Sequence, residues 1–348
     1  MDTVTHGLAG WLISRAIPSD PPRKEATAAV VIGSVLPDAD NAASLLGSEL
    51  YLRIHRGISH SLVGMAVASI LVALLLYRFG KWKDLKKLTL LVFLGMLSHI
   101  ALDLLNSYGT QIFQPFSDAR LSFDLLFIID LAFTGIIVLG ILLSRHRPSR
   151  ARAALAVLAA YVGLAAFLHV RAENAVREAA VHHGIPVLSS WALPSMGEIR
   201  SLPDLAPARR AEAAVEPRGR LTIPSVSAIS GEKGIPFPAG PFAWNGFVDD
   251  GSTYLRAEVD PLDGAVGWRE RMPKGRDVPE VKALGNVQDV RTYLWFARFP
   301  TAYVSTVEGK TVVTFFDLRF GGVTGRRPFI LRVIESPGTP PQARWGKS

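Results

Sequence analysis

Apolar residues are concentrated in the first half of the chain, in runs long enough to form membrane-spanning helices. Four long runs predict an α-helical transmembrane bundle: residues 62–77, 88–105, 125–143 and 153–170. A helix needs about 20 residues to cross the hydrocarbon core, with about 17 as a lower bound, so the first run is slightly short and the others pass. Two shorter runs, 4–17 and 26–36, reach only part of the way across and predict an N-terminal helical hairpin, packed against the bundle or embedded from one face.

Beyond residue 170 the pattern changes to short runs that are typical of β-strands. Residues 171–180 are expected to prolong the last helix, and 203–220, rich in Pro, Ala and Arg, to form a linker. The predicted strands cover 220–229, 254–259, 291–299, 311–320 and 329–334. The expected organisation is a helical membrane domain over 1–170, a helix extension and linker over 171–220, and an extracytoplasmic antiparallel β domain over 221–348.

Basic residues lie mainly in loops beside the apolar runs, which indicates how the chain is oriented. Lys and Arg are enriched in 78–87 and 145–152, and the positive-inside rule places both loops in the cytoplasm. We therefore expect a multi-pass membrane protein with its C-terminal domain outside the cytoplasm. The net charge of +8 alone would suit a nucleic-acid-binding protein. Because membrane orientation explains the basic loops, no nucleic-acid partner is expected.

Polar residues inside the apolar region provide the candidate chemistry. His99 and Asp103 are four residues apart in the second long run, so that they share one helix face. They are either a buried hydrogen-bonded pair or a functional site, and an ionisable pair in so apolar a segment favours the second. The predicted topology places seven ionisable residues at or near the outer ends of their helices: His6, Asp38, Asp40, His55, His60, His99 and Asp103.

Two of these carboxylates, Asp38 and Asp40, end the second short run. They are either part of a solvated turn, since Pro, Asp and Asn favour turns, or ligands of a hard or borderline cation. The chain contains no Cys, so any metal ion must be bound by His, Asp, Glu or backbone oxygen.

A second polar segment, His55 to His60, precedes the first long run. The two His residues can converge if the chain turns at Gly57. Arg56 between them offers five hydrogen-bond donors to a phosphate or carboxylate, or else extends to the membrane interface.

The motifs THGLAG, LPDAD, HRGISHS, SHIALDLLNSYG and QPFS follow in this order over about residues 1–130. This series resembles the YdjM-type family of bacterial inner-membrane proteins, which are described as metal-dependent hydrolases and are distantly similar to zinc phospholipase C and related zinc nucleases. The resemblance implies metal ligands at His6, Asp38, His60, His99 and Asp103, with Asp40 and His55 as ligands or as their hydrogen-bonding neighbours. Those zinc enzymes hold three ions with further ligands late in the chain. The remaining His residues here are poorly placed for that, so one or two ions are expected.

The resemblance implies a hydrolase, and the ligand set suits that chemistry. Neutral imidazoles and carboxylates bind Zn²⁺, with Mn²⁺ or Mg²⁺ as alternatives, and a bound divalent ion acidifies water. In this hypothesis Asp40 takes the proton and Arg56 binds the developing anion. The expected substrate is a phosphoester, lipid or lipid-linked, at the outer membrane face. The alternative is a non-enzymatic membrane stress or transport component whose His/Asp cluster is a structural metal site or a proton relay.

Overall fold

The computed structural model describes residues 1–17, 23–144, 147–199, 235–238, 240–307, 309–320, 329–336 and 338–346. The chain divides into two compact units, Met1–Phe167 and Leu168–Ser348, and helix α7 contributes residues to both. The linker expected over 203–220 and the strand expected over 220–229 lie outside the described residues.

The first unit is helical. Its α-helices are α1 Thr3–Ala16, α2 Arg23–Val35, α3 Ser48–Ile54, α4 Leu62–Phe79, α5 Leu85–Leu104, α6 Leu131–Leu143 and α7 Pro148–His182. Two 3₁₀ helices, Leu36–Leu46 and Ile58–His60, lie between α2 and α4.

Among the described residues, four helices are long and apolar enough to cross a membrane: Lys24–Leu46, Leu62–Phe79, Leu85–Leu104 and Pro148–His182. They fit the predicted helical membrane bundle, but two of the sequence predictions need correction. Because the 3₁₀ helix continues α2, the run at 26–36 becomes part of a 23-residue candidate span. The run at 125–143 forms a helix only from Leu131, because the Asp130 carboxylate caps it by accepting a 2.9 Å hydrogen bond from the Phe133 amide.

Helices α2 and α5 cross in close contact at two glycines. A Cβ atom at Gly33 would lie 2.2 Å from the Val92 carbonyl oxygen, and one at Gly95 would lie 2.2 Å from that of Val30. Only residues without a side chain allow this approach. The crossing sets the end of α2, and the chain that follows it, against the polar end of α5.

The second unit is antiparallel β structure packed on helices. The strands are β1 Ser189–Pro194, β2 Met196–Ile199, β3 Ile235–Pro238, β4 Trp244–Asp249, β5 Thr253–Val259, β6 Val266–Pro273, β7 Pro300–Val307, β8 Lys310–Asp317, β9 Ile330–Ser336 and β10 Thr339–Gly346. They form sheets of order β1-β4-β5-β6 and β10-β9-β8-β7 and a β2-β3 pair. Two short helices, α8 Pro279–Ala283 and α9 Gln288–Phe296, separate β6 from β7.

The predictions for this second unit hold in part. Strand β5 covers the expected run at 254–259, β8 covers 311–317 of the run at 311–320, which ends in a 3₁₀ turn, and β9 covers 330–334 of the run at 329–334. The strand predicted over 291–299 is wrong, because α9 occupies most of it and buries Val290 and Tyr293, three residues apart, in the core. Strand β1 pairs with β4, so the β structure also begins before the predicted start at residue 221.

Candidate metal centre

Four segments of the first unit bring their polar side chains to one place. Helix α1 carries His6, the 3₁₀ helix after α2 carries Asp38 and Asp40, the 3₁₀ turn before α4 carries His60, and α5 carries His99 and Asp103. Four of these residues are fully buried, namely His6, His60, His99 and Asp103. Asp38 is 9% exposed. The residues that the sequence singled out are therefore neighbours in the fold.

The centre of the cluster contains two imidazole nitrogens and two carboxylate oxygens. His60 Nε2 lies 3.0 Å from His99 Nε2 and 3.3 Å from Asp103 Oδ2. His99 Nε2 lies 3.5 Å from Asp103 Oδ2 and 3.7 Å from Asp38 Oδ1, and Asp38 Oδ1 lies 4.0 Å from His60 Nε2. In a tetrahedral Zn²⁺ site with bonds of 2.0–2.1 Å, neighbouring ligand atoms lie about 3.3 Å apart. The observed spacing fits such a site.

The second nitrogen of each ring determines what the first can do. His99 Nδ1 lies 2.7 Å from the Ser34 carbonyl oxygen, which can only accept, so Nδ1 carries the proton and Nε2 presents a lone pair. His60 Nδ1 faces Asp40 Oδ2 at 3.2 Å and the Ser59 hydroxyl at 2.9 Å. This favours the same tautomer for His60. A metal-binding His is usually oriented by such a contact on its other nitrogen.

Each of the two carboxylates uses one oxygen for donors and turns the other toward the imidazoles. Asp103 Oδ1 contacts the amino group of Met1, His6 Nε2 at 3.2 Å and Arg56 Nη2 at 2.8 Å. Asp38 Oδ2 accepts a 2.5 Å hydrogen bond from Thr3 Oγ1. Asp103 Oδ2 is buried and receives no hydrogen bond from any residue that the structure describes.

With both rings in this tautomer, lone pairs from two imidazoles meet two carboxylate oxygens in a buried space. Without a cation this arrangement is unfavourable, because buried acceptors need donors and like partial charges repel. A divalent ion held by His60, His99 and Asp103 would satisfy three of these atoms at once. The residues present thus fit a metal ion, and the His60, His99 and Asp103 group can hold one.

His6 extends the cluster on the side of α1. Its ring stacks on His99 with centroids 3.7 Å apart, and its Nδ1 is buried with no hydrogen-bond partner among the described residues. His6, Asp38 and His99 form a second group with metal-binding spacing, which shares His99 with the first. The cluster offers positions for one or two ions.

Asp40 and His55 lie beside the central four atoms and do not contribute to them. Asp40 accepts hydrogen bonds from His55 Nδ1 at 2.7 Å, the Arg56 amide at 3.1 Å and Ser59 Oγ at 2.5 Å, and its Oδ2 also faces His60. Burial lowers the pKa of His55 more than its contact with Asp40 raises it, so this ring is neutral at pH 7. With both oxygens engaged, Asp40 is placed to orient His60.

Arg56 is buried against the cluster, with its guanidinium already bound. Besides the contact with Asp103, Nη1 donates to Asn106 Oδ1 at 2.8 Å, and the guanidinium lies 4.8 Å from the Tyr108 ring centroid. The Arg56 backbone has φ of 60°, a conformation that non-glycine residues rarely adopt. This turn directs the side chain inward, where its charge balances Asp103, and excludes the alternative of an arginine extended to the membrane interface.

Several contributors were missed by sequence reasoning. The side chain of His60 is held by Ser59, that of Arg56 by Asn106, and that of His99 by the Ser34 carbonyl. Of these three partners, only Ser59 and Asn106 lie in polar motifs that the sequence made visible. Arg120 fastens the surrounding loops, because its Nη2 donates to the Leu52 carbonyl at 2.8 Å and its Nη1 to that of Gly109 at 3.1 Å. Nothing in the sequence around Arg120 indicated this role.

Fold and site together define a helical membrane protein with a buried His/Asp cluster that can hold a metal ion. Residues 1–172 match the family model described as YdjM inner membrane protein, the family that the motifs resemble. The chain is also similar to the uncharacterized protein YfhP of Bacillus subtilis (strain 168), 34% identical over 124 residues. That match spans 34% of this chain and 38% of the length of the relative. No solved structure matches the chain.

The contacts of Asp40 predict a loss of metal affinity when its charge is removed. Asp40→Asn keeps the shape of the side chain, but it can put an amide nitrogen in place of Oδ2, the oxygen that contacts His60 and Ser59. We expect about 10–100-fold weaker metal binding, as is common when such an orienting partner is lost. Competition with a metal-sensitive dye measures it. Asp118→Asn, which affects an exposed carboxylate bonded to Gln114, is the control and should bind metal like the parent. Equal affinity in both variants would remove Asp40 from the site.

Proposed function

We propose that the helical unit is a membrane-embedded metal-dependent hydrolase, and that it cleaves a phosphoester. The observation that carries this proposal is the meeting of His60 Nε2, His99 Nε2 and Asp103 Oδ2 within 3.0–3.5 Å of one another, with Asp38 Oδ1 at 3.7 Å from His99 Nε2 and 4.0 Å from His60 Nε2. Asp103 Oδ2 accepts no hydrogen bond from any of the described residues. A cluster built in this way is suited to a divalent cation.

His60, His99, Asp38 and Asp103 would hold the ion, and Zn²⁺ is the ion that this donor set favours. When bound, such an ion acidifies a water molecule and polarises the ester oxygen. The chain's own residues support the site: Asp40 holds the His60 ring by its Nδ1, and Arg56 balances the charge of Asp103. Both oxygens of Asp40 and both Nη atoms of Arg56 are already engaged, so we assign the two side chains positioning roles in place of proton transfer and anion binding.

The phosphoester assignment rests on the membrane location and on the resemblance of the motifs to a family that is distantly similar to zinc phospholipase C. We further propose that the substrate is a lipid or lipid-linked phosphate reached from the outer membrane face. The cluster lies at the ends of α1 and α5 opposite to the basic segments around 15–24 and 78–87, which the positive-inside rule assigns to the cytoplasm. The second unit is then extracytoplasmic. A reporter that works only outside the cytoplasm should be active when it is fused after Ser348. Activity of a reporter that works only in the cytoplasm would reverse this placement.

Metal removal tests the activity. Purified protein in detergent should hydrolyse a chromogenic phosphodiester or a phospholipid, lose at least about 10²-fold of its rate on chelation, and regain it with Zn²⁺ or Mn²⁺. His60→Ala should remain inactive when metal is restored. His182→Ala, which changes an exposed His at the end of α7, should behave like the parent. Turnover that survives chelation, or a fully active His60→Ala, would contradict the proposal.

One observation favours the alternative of a structural metal site. The donor residues around the central position are buried, and the most exposed of them, Asp38, is only 9% accessible. Structural zinc sites are closed by four protein ligands, whereas catalytic sites keep one position open. Protein that carries metal near stoichiometry, loses stability on chelation and hydrolyses no phosphoester would support the structural role.

A further inference from the structure

A groove runs along α1 and α2 at the end of these helices opposite to the metal centre. It encloses about 570 Å³ and is lined by Trp11, Arg15, Lys24, Thr27, Ala28 and Val31. This is within the usual range of small-molecule sites. None of the residues that we assign to the metal centre takes part in it, so its ligand is independent of the proposed hydrolase.

The groove is apolar along its length. Trp11 on α1 and Ala28 and Val31 on α2 form its walls, and Trp11 is 39% exposed although it belongs to a helix packed in an apolar bundle. From Lys24 to Val31 the helix rises about 10 Å. Ser14 and Thr27 join the two helices by a 3.0 Å hydrogen bond between their hydroxyl oxygens.

The groove becomes basic at one end. Arg15 follows Trp11 by one helical turn, with its guanidinium 5.8 Å from the indole centroid, and Lys24 lies in the first turn of α2. Arg152 adds a third cation near this end, because its Nε donates to the Ala16 carbonyl at 3.0 Å. Among the described residues that line the groove there is no acidic side chain.

An apolar groove on a membrane helix pair with cations at one end matches an anionic phospholipid. An acyl chain fits the apolar part, and the phosphate meets the cations, since basic recesses between membrane helices bind anionic headgroups. Trp at the membrane interface commonly lies at the level of such headgroups. We propose that this groove binds one anionic phospholipid, with the acyl chain beside Trp11 and Val31 and the phosphate between Arg15 and Lys24.

Native mass spectrometry of the full chain in detergent tests the proposal with two lipids, dioleoylphosphatidylglycerol and dioleoylphosphatidylcholine. The parent should bind the anionic lipid more tightly. Arg15→Ala/Lys24→Ala should weaken binding of the anionic lipid about 30-fold, the value expected for two cations at a membrane surface. The control, Arg78→Ala/Lys81→Ala, removes one basic residue from the last turn of α4 and one from the loop after it, and should leave the affinity unchanged.

A second variant tests the groove without touching its charge. Ala28→Trp fills the groove and should weaken the binding of both lipids. Val67→Trp, on the exposed face of α4, should leave the binding of both unchanged. The metal content of all four variants should equal that of the parent. The proposal is overturned if the parent shows no preference between the lipids, if the two double variants lose equal affinity, or if Ala28→Trp binds like Val67→Trp.

Discussion

The Asp103→Asn variant is expected to lose its metal ion and to be destabilised by about 3–5 kcal/mol, the usual cost of breaking a buried ion pair. Asp103 is fully buried and contacts Arg56 at 2.8 Å through Oδ1, while Oδ2 faces His60 and His99. An amide at this position removes a metal ligand and leaves the Arg56 guanidinium buried without its carboxylate. Unfolding by heat or denaturant in detergent measures the second effect.

A double variant separates these two consequences. Asp103→Asn/Arg56→Met also removes the unpaired cation, so we expect it to recover much of the stability while still binding no metal. Ser98→Ala, on the same helix, changes a hydroxyl that bonds only within the helix, to the Gly95 carbonyl, and serves as the control. If the single and double variants were equally unstable, the ion pair with Arg56 would not account for the loss.

Gly95→Ala is expected to weaken metal binding at least about 10-fold and to destabilise the helical unit by about 1–3 kcal/mol, although it changes no ligand. An alanine Cβ would lie 2.2 Å from the Val30 carbonyl oxygen and 2.8 Å from the Ser34 amide nitrogen. These are backbone atoms, so the helices must separate. The Ser34 carbonyl, which holds His99 Nδ1 at 2.7 Å, would move with α2.

Two other glycines provide matched controls for this prediction. A Cβ atom at Gly135 in α6 or at Gly163 in α7 would meet no heavy atom within 4 Å. Alanine is the better helix former by about 1 kcal/mol, so Gly135→Ala and Gly163→Ala should leave stability equal or higher and metal binding unchanged. Metal binding retained in Gly95→Ala would show that the crossing of α2 and α5 does not position the site.

The sequence was informative about the site because membrane helices limit where polar residues can lie. The four-residue spacing of His99 and Asp103 placed both on one helix face, and the basic loops indicated which helix ends share a side of the membrane. These two arguments sufficed to group the residues that the structure brings together. The division between Asp103 Oδ1 and Oδ2, and the four contacts of Asp40, depend on distances that no spacing in the sequence encodes.

The failures in predicting the fold also have physical causes. Residues 125–130 are as apolar as the helix that follows, but the Asp130 side chain caps a helix beginning at Leu131. Residues 291–299 are rich in residues that favour strands, yet Val290 and Tyr293 pack against Phe315 and Leu331 from a helix. In both cases a tertiary or capping contact outweighed the local composition.

The central claim is that the buried His/Asp cluster binds a metal ion, and elemental analysis tests it most directly. The purified protein, exposed to Zn²⁺ and then dialysed, should carry one or two ions per chain. His99→Ala should carry at least one ion fewer, and His183→Ala, an exposed His in the second unit, should match the parent. A parent protein without metal after this treatment, or a His99→Ala variant that retains its full content, would contradict the account.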